Sequence, residues 1–179
     1  MKTTDLGGER GFDGGKKVTG RKRHFAVDTL GLLLAVVVTA AAVDDGRAAP
    51  RVLEQLKREH YHRLTKLWAD TKYHNHDLSH WRTQHQVPYE LEIVSRPAGA
   101  KGFVLLQKCW VAERSIAWWS RDRRHSKDYE RRTESSEARI KISAIHMMLK
   151  RLAPDPNRQQ PTFIQVLTRK HGQTFRIAS

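Results

Sequence analysis

The sequence has a single cysteine, Cys109, in 179 residues. An intramolecular disulfide is therefore excluded, which fits a reducing compartment. It also lacks a run long enough to span a bilayer. The longest apolar stretch, LGLLLAVVVTAAAV at 30–43, falls short of the roughly 20 residues a spanning helix needs. The residues ahead of it carry glycines and charges of both signs, unlike a signal peptide. Acid is scarce too: 19 Asp and Glu stand against 33 Lys and Arg, for a net charge of +14. A soluble, cytoplasmic protein with a polyanionic partner is expected, usually nucleic acid and sometimes an anionic membrane surface. No internal repeat is visible. The length and a hydrophobic content of 39% suit one domain with a sizeable core, plus tails.

Residues 1–24 are glycine-rich and basic, and the pairs at 7–8 and 14–15 favour loops over helix. Between Lys16 and Arg23 there are five basic residues and no acid: Lys16, Lys17, Arg21, Lys22 and Arg23. They form either a solvated flexible arm or a set of phosphate contacts. FAVDTLGLLLAVVV (25–38) reads as two strands around a turn at Asp28–Gly31. The second strand has the Leu/Val run of one covered on both faces. Asp44-Asp45-Gly46 closes this unit, and Pro50 opens a polar helix. LTKLWAD (64–70) is expected as a buried strand ending at Asp70, with Trp68 in the core. A short helix over 74–86 follows. YELEIVSR (89–96) and KGFVLLQ (101–107) then read as two strands joined by a Pro97-Ala98-Gly99 turn.

Spacing predicts a helix over 110–124, with Trp118 and Trp119 on its apolar side and Trp110 on the side of Glu113. A second helix runs over 134–152. Thr133 is its candidate N-cap, and Ala138, Ile142, Ile145, Leu149 and Leu152 form an apolar stripe. Residues 153–179 read as a loose tail in which TFIQVL is a weak strand candidate. Three segments are expected: 1–24 as a basic arm, 25–152 as the core and 153–179 as the tail. The order of elements argues for an α/β domain with a mixed sheet.

Two acids stand out. Asp70 lies at the C-terminal end of a strand, where open α/β sheets present ligand sites. Glu113 falls in the first turn of the helix over 110–124. Carboxylates from separate elements that meet at a sheet edge suit hard divalent ions such as Mg²⁺ or Mn²⁺. Such ions serve phosphoryl transfer. The bland alternatives are a turn residue for Asp70 and a helix-dipole partner for Glu113. His76 and His80 are four apart on one helix face, close to His74, a spacing compatible with zinc. No cysteine pair completes such a set. Scattered surface histidines are the simpler account.

Several stretches carry a resemblance: KTTDLGGERGFDGGKKVTGRKRHFAVDTLGLLLAVVV, LWAD followed by Tyr73, LEIVSRPAGAKGFVLL, and WVAERSIAWW through RDRRHSKDYERRTESSEARI to LKRLA. Together they resemble the C-terminal part of DDE insertion-sequence transposases of the insertion-sequence-five group. The resemblance implies a ribonuclease H-like fold that cuts and joins DNA with metal held by two aspartates and a glutamate. Asp70 matches the second aspartate, Glu113 the glutamate, and Tyr73 the tyrosine after the second aspartate. In such proteins the first aspartate lies on a strand just before the KTT segment, whereas here Met1 directly precedes Lys2-Thr3-Thr4. A core without its first strand and first metal ligand is therefore expected, with weak or absent activity. Thr71 and Lys72 replace the family's glycines, and Cys109 replaces a basic residue one turn before the glutamate.

The resulting expectation is a DNA transposase core with Asp70 and Glu113 as catalytic metal ligands for Mg²⁺ or Mn²⁺. Trp110, Arg114, Arg121 and Arg124 are expected beside DNA, Arg121 and Arg124 on nearly the same helix face as Glu113. Expected partners are transposon-end DNA and either a second copy or a full-length transposase. The competing reading is a non-catalytic DNA-binding protein, or an inhibitor of a full-length relative.

Overall fold

A computed structural model describes residues 1–4, 8–59, 61–73, 76–100, 102, 104 and 106–153. The chain divides into two compact units, Met1–His146 and Met147–Ser179. Of the second unit only residues 147–153 are described, helical through Leu152. The zinc candidate His74 and the TFIQVL segment lie outside the described residues.

The elements are β1 (Gly11–Asp13), β2 (Val18–Val27), β3 (Leu33–Ala40), α1 (Asp45–Arg58), β4 (Lys66–Asp70), α2 (His76–Gln84), β5 (Glu90–Val94), α3 (Gln107–Ser120) and α4 (Thr133–Leu152). Two single-turn 3₁₀ helices, Thr71–Tyr73 and Arg123–His125, follow β4 and α3. The α/β class is as the sequence indicates. The expected single mixed sheet is instead two sheets: antiparallel β1-β2-β3 and parallel β4-β5.

The β2–β3 hairpin forms where the pattern places it, but β2 begins at Val18. Residues 18–24, expected in a flexible arm, are therefore part of the sheet. Asp28 shapes the turn, since its carboxylate accepts from the N–H groups of Leu30 (2.9 Å) and Leu32 (2.8 Å). β3 is covered on both faces. Ala35 and Val37 pack with Val52, Leu53 and Leu56 of α1, while Val36 and Val38 pack with Ile140 of α4. Each fully buried valine or leucine contributes about 1.5–3 kcal/mol of transfer free energy. This hairpin and its two helices thus form the core.

Asp44 and Asp45 do not close the preceding unit; they start the next helix. The Asp44 carboxylate caps α1 by accepting from the Gly46 N–H at 3.2 Å, which satisfies one of the orphan donors of the first turn. Pro50 consequently sits inside the helix instead of opening it. β5 does not form a hairpin with 101–107. It pairs in parallel with β4 across α2, with Asp70 opposite Val94. The described residues Gly102, Val104 and Leu106 are not in strand, and Leu106 is the N-cap of α3. Lys101, Phe103 and Leu105 lie outside the described residues.

Two apolar assignments are corrected. Trp68 is 39% exposed; its indole N–H donates to Glu92 at 3.1 Å and Lys108 Nζ lies 4.7 Å over its ring. In α4 the buried side is Thr133, Ser136, Ile140 and Ala144, while Ile142 and Ile145 of the expected stripe face outward. Thr133 is the first helical residue and not the cap.

Candidate functional site

Asp70 is the last residue of β4, and its parallel pairing with Val94 fixes where the carboxylate leaves the sheet. Glu113 is carried by α3, which starts earlier than expected, so the residue lies in the second turn and not the first. Two contacts seat this helix. The Ser115 hydroxyl is fully buried, and its one proton serves Gly31 O or Val111 O, each 2.9 Å away. Trp119 packs edge-on against Phe25 at a centroid distance of 5.2 Å.

These elements bring Asp70 and Glu113 to one pocket of about 300 Å³, which Thr71, Val94, Arg96 and Cys109 also line. Both acids are exposed. The Thr71 hydroxyl donates to Asp70 Oδ1 at 2.8 Å and holds that carboxylate in orientation. The Cys109 thiol is pushed up, first by burial and then by the negative charges of Asp70 and Glu113. One side chain thus senses both carboxylates. The phenol of Tyr73, in the turn after β4, is pushed up to about 12 by burial and by Asp45, Asp70 and Asp44. Among the described residues no group of three His, Cys, Asp or Glu is close enough to hold a metal ion. That also leaves His76 and His80, both exposed on α2, without a zinc set there.

The expected DNA-facing residues separate into two kinds. Lys16 and Lys17 are exposed in the turn between β1 and β2. Arg121 and Arg124 are exposed as well, but α3 ends at Ser120. Arg121 is its C-cap and Arg124 belongs to the following turn, so the two do not extend the helix face of Glu113. Trp110 is 40% exposed. The guanidinium of Arg114 lies 4.9 Å from its ring and 4.7 Å from that of Trp118, and also donates to Leu30 O at 3.2 Å.

The remaining three turn inward. Arg21, expected at phosphate, is fully buried. Its guanidinium donates to Glu9 O (2.7 Å), Asp128 Oδ2 (3.2 Å), Glu130 O (2.8 Å) and Arg131 O (2.7 Å). It has no surface left to offer DNA; β2 alternation points it under the loop before α4. Lys22 donates to Val43 O at 3.0 Å and lies 3.6 Å from Asp13 and 3.9 Å from Asp45. Arg23 is half-buried beside His125 O at 3.4 Å. Sequence reasoning missed Asp128 and His125 as buried groups. Both lie in RDRRHSKDYERR, whose charge density reads as surface.

The profile of the transposase DDE domain family matches residues 1–149. The chain belongs to this family. No curated protein and no solved structure matches it. Membership ties the transposase domain to DNA transposition and to DNA as its partner. No helix among the described residues is long and apolar enough to cross a membrane.

Proposed function

We propose that this transposase domain is a ribonuclease H-like catalytic core of the insertion-sequence-five type, in which Asp70 and Glu113 hold a divalent metal ion beside DNA. The observation that carries the reading is that two exposed carboxylates from separate elements line one pocket. The donor chemistry fits. Both are hard oxygen ligands suited to Mg²⁺ or Mn²⁺. The soft donor among the described residues lining the pocket, Cys109, has its thiol pushed up by burial and by the same two acids. An ion held by Asp70 and Glu113 would supply Lewis-acid stabilisation of the charge that develops on a phosphodiester oxygen.

The chain's own residues supply the rest. Thr71 orients Asp70. Arg114 presents a cation and two indole faces on the side of α3 nearest the β2–β3 turn. Arg121, Arg124, Lys16 and Lys17 offer exposed charge to phosphates, contacts that position DNA without reading its bases. Among the described residues no third His, Cys, Asp or Glu joins the two carboxylates as a ligand, so most coordination positions of an ion there would be left to water, and the domain is a weak catalyst.

Titration with Mn²⁺, followed by the loss of its free-ion electron paramagnetic resonance signal, tests the site. Asp70→Asn and Glu113→Gln should each weaken Mn²⁺ binding at least tenfold without lowering the melting temperature, because both side chains are exposed. Unchanged Mn²⁺ affinity in either variant would sink the assignment. Robust Mg²⁺-dependent cleavage of element-end DNA, lost in Glu113→Ala, would overturn the weak-activity reading. Salt-dependent DNA binding without cleavage, indifferent to Asp70→Asn, would favour a non-catalytic binder or an inhibitor of a full-length transposase.

A further inference from the structure

β5 ends at Val94, in register with Asp70, so the two side chains leave one face of the parallel pair. Arg96 follows two positions later. Pro97 holds it in extended backbone, because a proline ring disfavours helical geometry at the residue before it. The period of two then returns Arg96 to the face of Asp70. A turn pins this exit from the sheet. Ala100 N–H donates to Pro97 O at 3.2 Å, and Gly99 adopts φ +77°, the left-handed geometry that the third position of a type II turn requires. Arg96 accordingly lines the same pocket as Asp70 and Glu113.

Among the described residues lining that pocket, Arg96 is the one cation. It is exposed, and among the described residues no ion pair or hydrogen bond engages its guanidinium. The neighbouring cations, in the turn after β4 and on α3, are engaged elsewhere. Lys72 lies 3.9 Å from Asp45. Lys108 donates to Glu92 at 3.1 Å and covers the Trp68 ring. Arg114 reaches Leu30 O and the rings of Trp110 and Trp118. None of these three lines the pocket. Cys109 adds no charge there, since its thiol is pushed up first by burial. The pocket thus offers two carboxylates to a cation and one uncommitted guanidinium to an anion.

Resting on the metal reading above, we infer that Arg96 is the phosphate-holding residue of this pocket, its guanidinium gripping the non-bridging oxygens of the phosphodiester brought to Asp70 and Glu113. The physical case is one of charge. Two carboxylates balance a divalent ion, which leaves the negative charge of the phosphodiester without a partner. That charge is what a catalytic site for phosphoryl transfer has to stabilise. The planar fork of a guanidinium matches two phosphate oxygens at once, whereas an ammonium acts as a point charge. Without the ion, Asp70 and Glu113 repel a phosphate from the pocket. Arg96 therefore contributes to DNA binding only when the ion is bound. This condition separates it from Arg121 and Arg124, whose exposed charges reach phosphates with or without metal.

Binding of a short fluorescent DNA duplex to the full chain, read by anisotropy with and without Mn²⁺, tests this as a double-mutant cycle between Arg96 and Glu113. In Mn²⁺, Arg96→Gln should weaken DNA binding about tenfold. The same substitution should have little effect without Mn²⁺, or in a Glu113→Gln chain at the same Mn²⁺ concentration. Arg96→Lys should recover only part of the loss. Mn²⁺ affinity in the absence of DNA should not weaken in Arg96→Gln, and the melting temperature should hold, because the side chain is exposed. An Arg96→Gln loss of equal size with and without Mn²⁺ would overturn the proposal, since the residue would then be one more surface contact. No loss in Mn²⁺, in a chain whose Mn²⁺ affinity still depends on Glu113, would overturn it and leave the two carboxylates standing as ligands. A parent chain that binds no Mn²⁺ would remove the metal reading and this role of Arg96 together.

Discussion

Ser115 and Gly31 are joined at 2.9 Å by a buried hydroxyl-to-carbonyl hydrogen bond across 84 positions of sequence. This bond fastens the helix that carries Glu113 to the turn between β2 and β3. Gly31 adopts φ +83°, and a Cβ there would stand 2.5 Å from Ser115 Oγ and 3.0 Å from the Trp118 ring.

Gly31→Ala therefore meets two costs at once. The left-handed conformation costs a non-glycine residue roughly 1–2 kcal/mol, and the methyl drives into Ser115. A loss of at least ~2 kcal/mol is expected, measured by urea denaturation. Because α3 must shift to relieve the clash, Mn²⁺ binding should weaken too, although residue 31 touches neither carboxylate. A variant with full stability and full Mn²⁺ affinity would show that the turn does not position the helix.

Arg21 and Asp128 form the next relationship, an ion pair at 3.2 Å with both side chains sealed from solvent. Ser136 donates to the same carboxylate oxygen at 2.8 Å. Removing one partner leaves a buried charge uncompensated, which typically costs about 3–5 kcal/mol. Arg21→Met should lower stability by that order and leave a broad, weakly cooperative melt. Arg21→Lys should rescue little, because a single ammonium cannot reproduce contacts to three carbonyls and a carboxylate. An Arg21→Met chain that melts like the parent would refute the structural role.

Stability should fall on mild acidification. His24 is held below its ordinary pKa of 6.5 chiefly by burial, with Asp45 opposing the shift. His125 is lowered by burial and then by Arg23. A histidine kept neutral in the folded state binds its proton more readily when unfolded. Its contribution is thus complete above about pH 6.5 and lost as the pH falls toward the depressed folded values. Melting temperature should drop as the pH falls below about 6.5. His24→Gln, which can still bond Thr39, should flatten the profile. A flat profile in the parent chain would contradict both assignments.

The parts of the fold that were legible in sequence are those governed by local pattern. The β2–β3 hairpin follows from Asp28 and Gly31 between apolar runs. β4 ends at Asp70 as the run LTKLWAD indicates. What was not legible depended on long-range partners. The charge of Arg21 reads as surface until Asp128, more than a hundred positions away, accounts for it. Trp68 reads as core because tryptophan in an apolar run usually is, yet among the described residues its strand pairs only with β5, and Lys108 and Glu92 claim its ring and its N–H. The pairing of Asp70 with Glu113 came from the family resemblance, since no spacing rule links a strand end to a helix 43 positions later (113 minus 70). Their shared pocket is visible only in three dimensions.

The buried and exposed arginines also divide the DNA contacts in a measurable way. Each Lys or Arg that neutralises a phosphate releases a counterion, and log K falls with log salt at a slope of about −0.9 per contact on duplex DNA. Arg121 and Arg124 are exposed, and neither is needed to hold the core. Arg121→Gln with Arg124→Gln should reduce that slope by about 2 for duplex DNA of any sequence, read by fluorescence anisotropy across a salt series. The melting temperature should not change. Lys16→Gln with Lys17→Gln, in the exposed β1–β2 turn, should act in the same way and additively, because the two pairs sit on separate elements. Lys22→Gln should instead lower stability and leave the slope alone, since Asp13, Asp45 and Val43 already occupy its ammonium. If Lys22→Gln lowered the slope while Arg121 and Arg124 did not, the assignment of inward and outward cations would be reversed.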